Sequence, residues 1–319
     1  MRIRQTGEAD KLRAETITLP PLAAGEALVK VAAAGVNFID VYHRTGLYPL
    51  PLPAVLGLEG AGVVEEVAAD VVAVKPGDRV GFCAAGLGAY AGYKIAPAER
   101  LTPLPDDISF EQAAAVLLKG MTVEYLIRRL YPVRAGQVVL WHAAAGGVGL
   151  LACQWLKQLG ATVIGTAGSE EKAQLAKAHG CDYVVLYGEE DVAKRVREIT
   201  DGKGVPVAFD SVGASTFQST LDSLAVRGMF VSFGNASGAV PPFEPGVLAA
   251  KGSLFFTRPT LMSYCASAAE IRESADALFF AVRGGLRINI GKTLPLADAA
   301  LAHELLESRQ TTAATILLP

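Results

Sequence analysis

Two textures of apolar and polar positions divide the chain near residue 120. Before it, short β-branched runs are broken by Pro and Gly, as in LPPLAAGEALVKVAAAGV and VKPGDRVGF, a pattern that predicts a small antiparallel barrel. From Gln137 onward, apolar strands alternate regularly with amphipathic helices. Val138 to Trp141 is an apolar run; Val148, Leu151, Ala152, Trp155 and Leu159 then recur at helical spacing; Thr162 to Thr166 is again apolar and β-branched. Further elements follow at the same rhythm: a helix from Ser169 to His179 stopped by Gly180, a strand from Tyr183 to Tyr187, and a helix from Asp191 to Thr200. A strand from Val207 to Asp210, a helix from Ser215 to Leu224, and strands from Met229 to Phe233 and Leu254 to Thr257 complete the series. Six parallel strands predict an α/β fold with a doubly wound sheet. After Pro259 the pattern turns helical and closes in TTAATILLP, a strand-like tail able to rejoin the first part.

Composition narrows the class. A chain of 319 residues exceeds one ordinary core, so two domains across a ligand-binding cleft are expected. With 51% hydrophobic and 19% charged residues, the chain has ample apolar surface to bury, which argues against disorder. No uninterrupted apolar run reaches the roughly 18 residues of a membrane span, and MRIRQTGEADKLR lacks the apolar segment of a signal peptide, so a cytoplasmic protein is expected. A net charge of -3 without long charged runs speaks against a broad nucleic-acid surface. Cys83, Cys153, Cys181 and Cys265 lie far apart, as do the four histidines, so neither a disulfide framework nor a zinc knuckle is indicated.

The candidate chemistry begins at HAAAGGVG, residues 142–149. Aligned to G-x-G-x-x-G, Ala144 takes the first glycine position, Gly146 the second and Gly149 the third, with Gly147 expected to restore the turn freedom that Ala144 lacks. Taken alone, such a loop reads equally as a tight turn whose glycines serve packing. Between a strand and a helix of a six-strand alternation, it points to a dinucleotide whose pyrophosphate sits on the N–H groups at the helix start. At the end of the next strand, GTAGSEEK has no Asp or Glu placed to hold ribose hydroxyls; Ser169 and Lys172 would grip a 2′-phosphate, so NADPH is the expected cofactor. Glu170 and Glu171 count against this unless they only decorate a helix N-terminus, and a solvated lysine is the alternative for Lys172.

The stretch GQVVLWHAAAGGVGLLACQWLK, together with GVNFIDVYHRTGLYP, GLEGAGVV, ISFEQAAAVLLKGMTV, FDSVG and FTRPTL, resembles the quinone oxidoreductase/zeta-crystallin family of the medium-chain dehydrogenases/reductases. The resemblance implies a Rossmann domain, residues 122–258, and a GroES-like β-barrel domain formed by residues 1–121 and 259–319. It implies reduction of a small-molecule quinone to semiquinone or hydroquinone by NADPH in the interdomain cleft, and a homodimer joined through the Rossmann edge strand in SLFFT. Zinc alcohol dehydrogenases of the same superfamily carry G-x-C and G-H-E where this chain has Gly35-Val36-Asn37 and Gly57-Leu58-Glu59, and no cysteine-rich lobe follows Cys83. No metal is therefore expected. Without a Lewis acid, alcohol dehydrogenation is disfavoured, whereas a conjugated acceptor delocalises the charge it receives.

The resemblance also assigns residues. Asn37, Asp40, Tyr42 and Tyr48 are expected at the nicotinamide end, with Asn37 by the carboxamide and the tyrosines by the acceptor. By spacing alone the tyrosines read as half-buried barrel aromatics and Asp40 as a cap, while Glu59 reads as a structural partner. Cofactor contacts implied besides Asn37 and Tyr42 are Thr122, Ala145, Gly146, Gly147, Val148, Gly168, Ser169, Lys172, Tyr187, Ser211, Val212, Phe233, Gly234, Asn235, Ser237, Thr257, Arg258 and Arg309. A zinc-free enone or enal reductase is the alternative within the same chemistry. An AU-rich RNA-binding or crystallin-like protein is the alternative outside it, disfavoured by the lack of a basic stripe and of RNP aromatics.

Overall fold

A computed structural model describes residues 1–308 and 311–319, so Arg309 lies outside the described residues. The chain divides into two compact units, one of Met1–Met121, Tyr264–Val282 and Ile288–Pro319, the other of Thr122–Ser263 and Arg283–Arg287. The first passage from one unit to the other falls inside a continuous helix, Phe110–Glu124, which runs on into a π-helical turn, Tyr125–Leu130.

The second unit is a parallel sheet. Its strands are β1 (Val138–Trp141), β2 (Thr162–Ala167), β3 (Tyr183–Leu186), β4 (Val205–Asp210), β5 (Leu224–Ser232) and β6 (Phe255–Thr257), in the spatial order β3-β2-β1-β4-β5-β6. All five pairings are parallel. Continuous apolar runs suit strands buried on both faces: Leu140, Ile164, Val185, Ala208 and Phe230 join one cluster, while Trp141 stacks on Phe209 at 4.8 Å. The crossovers carry α1 (Gly147–Gln158), α2 (Glu170–Ala178), α3 (Val192–Ile199) and α4 (Phe217–Ser223). Ser169 and Asp191 cap α2 and α3, each side chain accepting the N–H three residues on, which explains why both helices begin where polar residues precede the apolar stripe. Strand β5 begins earlier than expected, at Leu224; its pairing to β4 jumps from Val205–Leu224 to Val207–Met229, and Arg227 within the jump takes a left-handed φ of 60°.

The first unit is built on a sheet in which Ile290–Pro295, Ala314–Leu318, Glu26–Val36, Glu59–Val67, Arg79–Phe82 and Thr102–Pro103 follow one another, with Tyr93–Pro97 also paired to Glu26–Val36. The tail rejoins this unit: Thr315, Ile316 and Leu317 pair antiparallel with Val36, Gly35 and Ala34. Two expectations need correction. Ile290–Pro295 is a strand in a stretch read as helical, and because almost all of it is exposed it carries no apolar alternation to reveal it. It pairs parallel with Ala314–Leu318, so the sheet is not purely antiparallel. Among the described residues no helix is long and apolar enough to cross a membrane.

Candidate functional site

The loop that opens α1 is shaped by its backbone. Ala143, not Ala144, takes the left-handed conformation, at φ 54°, so the freedom expected of the first glycine position is exercised one residue earlier and without a glycine. Such a φ costs an alanine on the order of 1 kcal/mol. Three bonds hold it: the Ala143 N–H donates to the Thr166 hydroxyl at 3.1 Å, the Ala144 N–H to the Thr166 carbonyl at 3.0 Å, and the Gly146 N–H to the Ala143 carbonyl at 2.9 Å. Ala144 is tolerated because Gly165 opposite has no side chain; a Cβ there would come within 2.6 Å of the Ala144 methyl. Gly149 answers to its expected packing role, since a Cβ would lie 2.4 Å from the Ala143 carbonyl oxygen and 2.6 Å from that of Ala144. Gly146 caps α1, and the first-turn N–H groups of Gly147, Val148 and Gly149 have no carbonyl one turn back to receive them. The result is a half-buried helix N-terminus of the kind that suits an anion, and Ala145 beside it is buried.

Most other cofactor candidates lie just past the carboxyl ends of parallel strands, on one edge of the sheet. Gly168 and Ser169 follow β2, Tyr187 follows β3, Ser211 and Val212 follow β4, Phe233 and Gly234 follow β5 with Asn235 and Ser237 beyond, and Thr257 ends β6 with Arg258 next. Gly168 and Tyr187 are drawn together: a Cβ on Gly168 would meet the Tyr187 hydroxyl at 2.3 Å. Ser169 caps α2, its Oγ accepting the Lys172 N–H at 3.3 Å and keeping its own proton to donate, which places Lys172 one turn from the end of β2. Glu170 and Glu171 are exposed in the first turn of α2, where the helix dipole favours them. Thr122 stands apart from the strand ends, in the last turn of the helix Phe110–Glu124.

Beneath the loops lies a buried polar chain that sequence reading overlooked. Asp210, fully buried, accepts the N–H groups of Val212 at 2.7 Å and Gly213 at 3.0 Å through Oδ1, and the hydroxyls of Thr216 and Thr220 through Oδ2. His142 sits between Thr220 and Thr166, and burial pushes its pKa down against the pull of Asp210. The sequence signal was slight: an aspartate ending a strand and followed by Gly213 three residues on, as in an Asx turn.

In the first unit, Asn37 N-caps the helix Phe38–Thr45, and Asp40 accepts the Asn37 N–H at 3.0 Å. The side chains of both turn inward. The Asn37 amide donates to Glu59 Oε2 at 2.9 Å, and Asp40 is fully buried against the Tyr90 hydroxyl at 3.0 Å, which lies 3.3 Å from His303 Nε2. Glu59 is wholly buried; Lys119 donates to its Oε2 at 2.9 Å and the Leu118 N–H to its Oε1 at 2.8 Å. Gly35 must lack a side chain, because a Cβ would meet the Ala114 carbonyl at 2.1 Å and Glu59 Oε2 at 2.3 Å. Tyr42 is buried and half-buried Tyr48 meets it edge to face, centroids 5.2 Å apart. The structure thus brings the two tyrosines together and sets Asn37 and Asp40 behind them in a polar core. Burial pushes Asp40 up to about 7, with the Tyr90 and Asn37 bonds opposing.

Residues 147–279 match the family model described as Zinc-binding dehydrogenase, and residues 23–106 the Alcohol dehydrogenase GroES-like domain. A quinone oxidoreductase of Pseudomonas aeruginosa is 52% identical over 296 residues, covering 92% of this chain and 91% of that protein. The chain belongs to the quinone oxidoreductase family. It is an oxidoreductase with the GroES-like and Rossmann architecture of the medium-chain dehydrogenases/reductases, as the motifs around HAAAGGVG imply. The crystal structure of Escherichia coli quinone oxidoreductase complexed with NADPH superposes with a TM-score of 0.97 at 46% identity, over 100% of this chain and 99% of that one. A 2-haloacrylate reductase of Burkholderia sp. is 43% identical over 99% of this chain and 98% of its own length. Although one matching family model is named for zinc, this family member offers Asn37 and Leu58 where zinc dehydrogenases carry thiolate and imidazole, and its Glu59 is ion-paired to Lys119. Those side chains do not suit a zinc ion. Among the described residues no group of three or more His, Cys, Asp or Glu gathers to hold a metal.

Proposed function

We propose that the protein is an NADPH-dependent quinone reductase that works without zinc. The observation that carries this reading is the convergence of a helix-N-terminal anion cradle, Gly146 to Val148, with Gly168, Ser169, Lys172 and Tyr187 at the ends of β2 and β3, where no carboxylate ends β2. The cradle residues would hold the pyrophosphate, and Ser169, Lys172 and Tyr187 the 2′-phosphate; Ser211, Val212, Phe233 and Asn235 would border the remainder. NADPH, when bound, would supply the reducing electrons. The chain supplies position: the Tyr42–Tyr48 pair would offer hydrogen bonds to the acceptor, Asn37, held by Glu59, belongs at the carboxamide by resemblance, and the quinone delocalises the charge it receives. Arg309 belongs to the proposed cofactor set by resemblance. Dimerisation through β6, whose outer side is unpaired among the described residues and where Phe255 is 56% exposed, belongs to the same reading.

The 2-haloacrylate reductase relative favours a second reading, reduction of an activated alkene by the same donor. Stopped-flow oxidation of NADPH with 1,4-benzoquinone, 9,10-phenanthrenequinone and 2-cyclohexenone separates them. Faster turnover of the quinones is expected; faster turnover of the enone overturns the first reading in favour of the second.

A further inference from the structure

The order of the parallel sheet reverses between β1 and β4, and a dinucleotide crosses such a sheet at that point. The loop after β1 and the loop after β4 flank this crevice, and one chain of buried hydrogen bonds joins them. Its direction can be assigned from proton counts. The Thr220 hydroxyl lies 2.8 Å from Asp210 Oδ2 and 2.7 Å from the Thr216 carbonyl, both pure acceptors, so its single proton points to one of them. It must therefore accept at its third contact, His142 Nε2, at 2.9 Å. His142 is then the Nε2–H tautomer, and its bare Nδ1 accepts the Thr166 hydroxyl at 3.3 Å. Thr166 in turn accepts the N–H of left-handed Ala143, while Asp210 Oδ1 gathers the N–H groups of Val212 and Gly213. His142, Thr166, Thr220 and Asp210 are each at most 2% exposed, so a ligand in the crevice would meet the loops and not these side chains.

We propose that His142 is a positioning residue for the dinucleotide: as a neutral Nε2–H imidazole it ties the phosphate-side loop at Ala143 to the loop at Val212 and Gly213, fixing the two walls of the crevice at one spacing. The inference rests on the NADPH reading above. Burial, which holds His142 below its ordinary pKa, keeps the imidazole neutral against the facing Asp210 charge.

Two measurements test it. In uniformly 15N-labelled protein without ligand, long-range 1H–15N correlation at pH 7 should show His142 protonated at Nε2 alone; an Nδ1–H tautomer or an imidazolium overturns the assignment with no variant needed. NADPH binding, followed by fluorescence titration without acceptor, should weaken about 5- to 10-fold in Thr166→Val and in Thr220→Val, and stay within about twofold in Thr166→Ser and Thr220→Ser. Because both valines cut one chain, the double Val variant should bind no more than about twofold more weakly than either single. Losses that multiply, or Val variants that bind like wild type, overturn the positioning role while leaving NADPH binding in place. Wild-type protein that binds no NADPH overturns the proposed function and this inference with it.

Discussion

The Glu59 carboxylate and the Lys119 ammonium lie 2.9 Å apart, with side chains 0% and 6% exposed. Neither charge could remain there alone, because breaking a buried pair leaves one uncompensated ion at a cost of about 3–5 kcal/mol. Glu59→Gln should therefore lower the unfolding midpoint strongly, and Glu59→Gln combined with Lys119→Met, which removes the stranded ammonium and keeps an acceptor for Asn37 and Leu118, should recover part of the loss. Calorimetric melts of the three proteins check this; a Glu59→Gln variant as stable as wild type would refute it.

Stability should depend on pH through Asp40. An aspartate titrates near 3.9 in an unfolded chain, roughly three units below the folded value of about 7. Between these limits the folded state holds a proton that the unfolded state lacks, so the Asp40 contribution declines as pH rises from about 4 to about 7 and is level beyond. His303, held down to about 3 by burial and by Arg44, acts in the opposite sense, its contribution being lost as pH falls below about 6.5. The difference between wild type and Asp40→Asn isolates the aspartate: the variant should gain about 1–3 kcal/mol on wild type between pH 4 and pH 7. Urea unfolding at both pH values measures it, and a pH-independent difference counts against the assignment.

Two glycine-to-alanine changes should part company. At Gly149 the added methyl would strike two backbone carbonyls that cannot yield, so NADPH affinity should fall at least about tenfold and stability with it. At Gly168 it would strike only the tip of Tyr187, which is half exposed and free to swing, so stability should hold while the 2′-phosphate end loosens. Binding titrations beside thermal melts distinguish them; equal effects at both positions would contradict the geometry.

Lys172→Ala should cut the preference for NADPH over NADH by about tenfold, the scale of one charge-assisted hydrogen bond. The ratio of kcat/KM for the two nucleotides reads this directly, and an unchanged ratio removes Lys172 from the phosphate site.

If β6 forms the dimer seam, Phe255→Glu places like charges across it and should shift the protein toward monomer in sedimentation. An unchanged assembly would move the interface elsewhere.

The parallel sheet was legible because its strands are largely apolar runs and because α2 and α3 announce their starts with the capping residues Ser169 and Asp191. The candidate positions just past the strand ends came from the family resemblance, and the alternation accounts only for their standing at carboxyl ends. The strand Ile290–Pro295 was not legible, since an exposed edge puts no constraint on side-chain alternation. Nor was the buried polar core. Tyr90 and His303 meet across 213 residues of chain, and Glu59 and Lys119 across 60, distances over which local periodicity says nothing. Ala143 shows a subtler limit: a motif alignment marks where a glycine usually stands, while the backbone placed its strain one residue earlier, where Thr166 could secure it.

The pairing of Ala314–Leu318 with Ala34, Gly35 and Val36 bears on biosynthesis. At ribosomal speeds of about 5–20 residues per second, the backbone of residues 34–36 waits roughly 15–60 seconds for its last neighbour to emerge. The Rossmann unit, made between residues 122 and 287, can fold before that wait ends, while the nascent barrel keeps a bare seam that a chaperone, or a stray strand from another polypeptide, could fill.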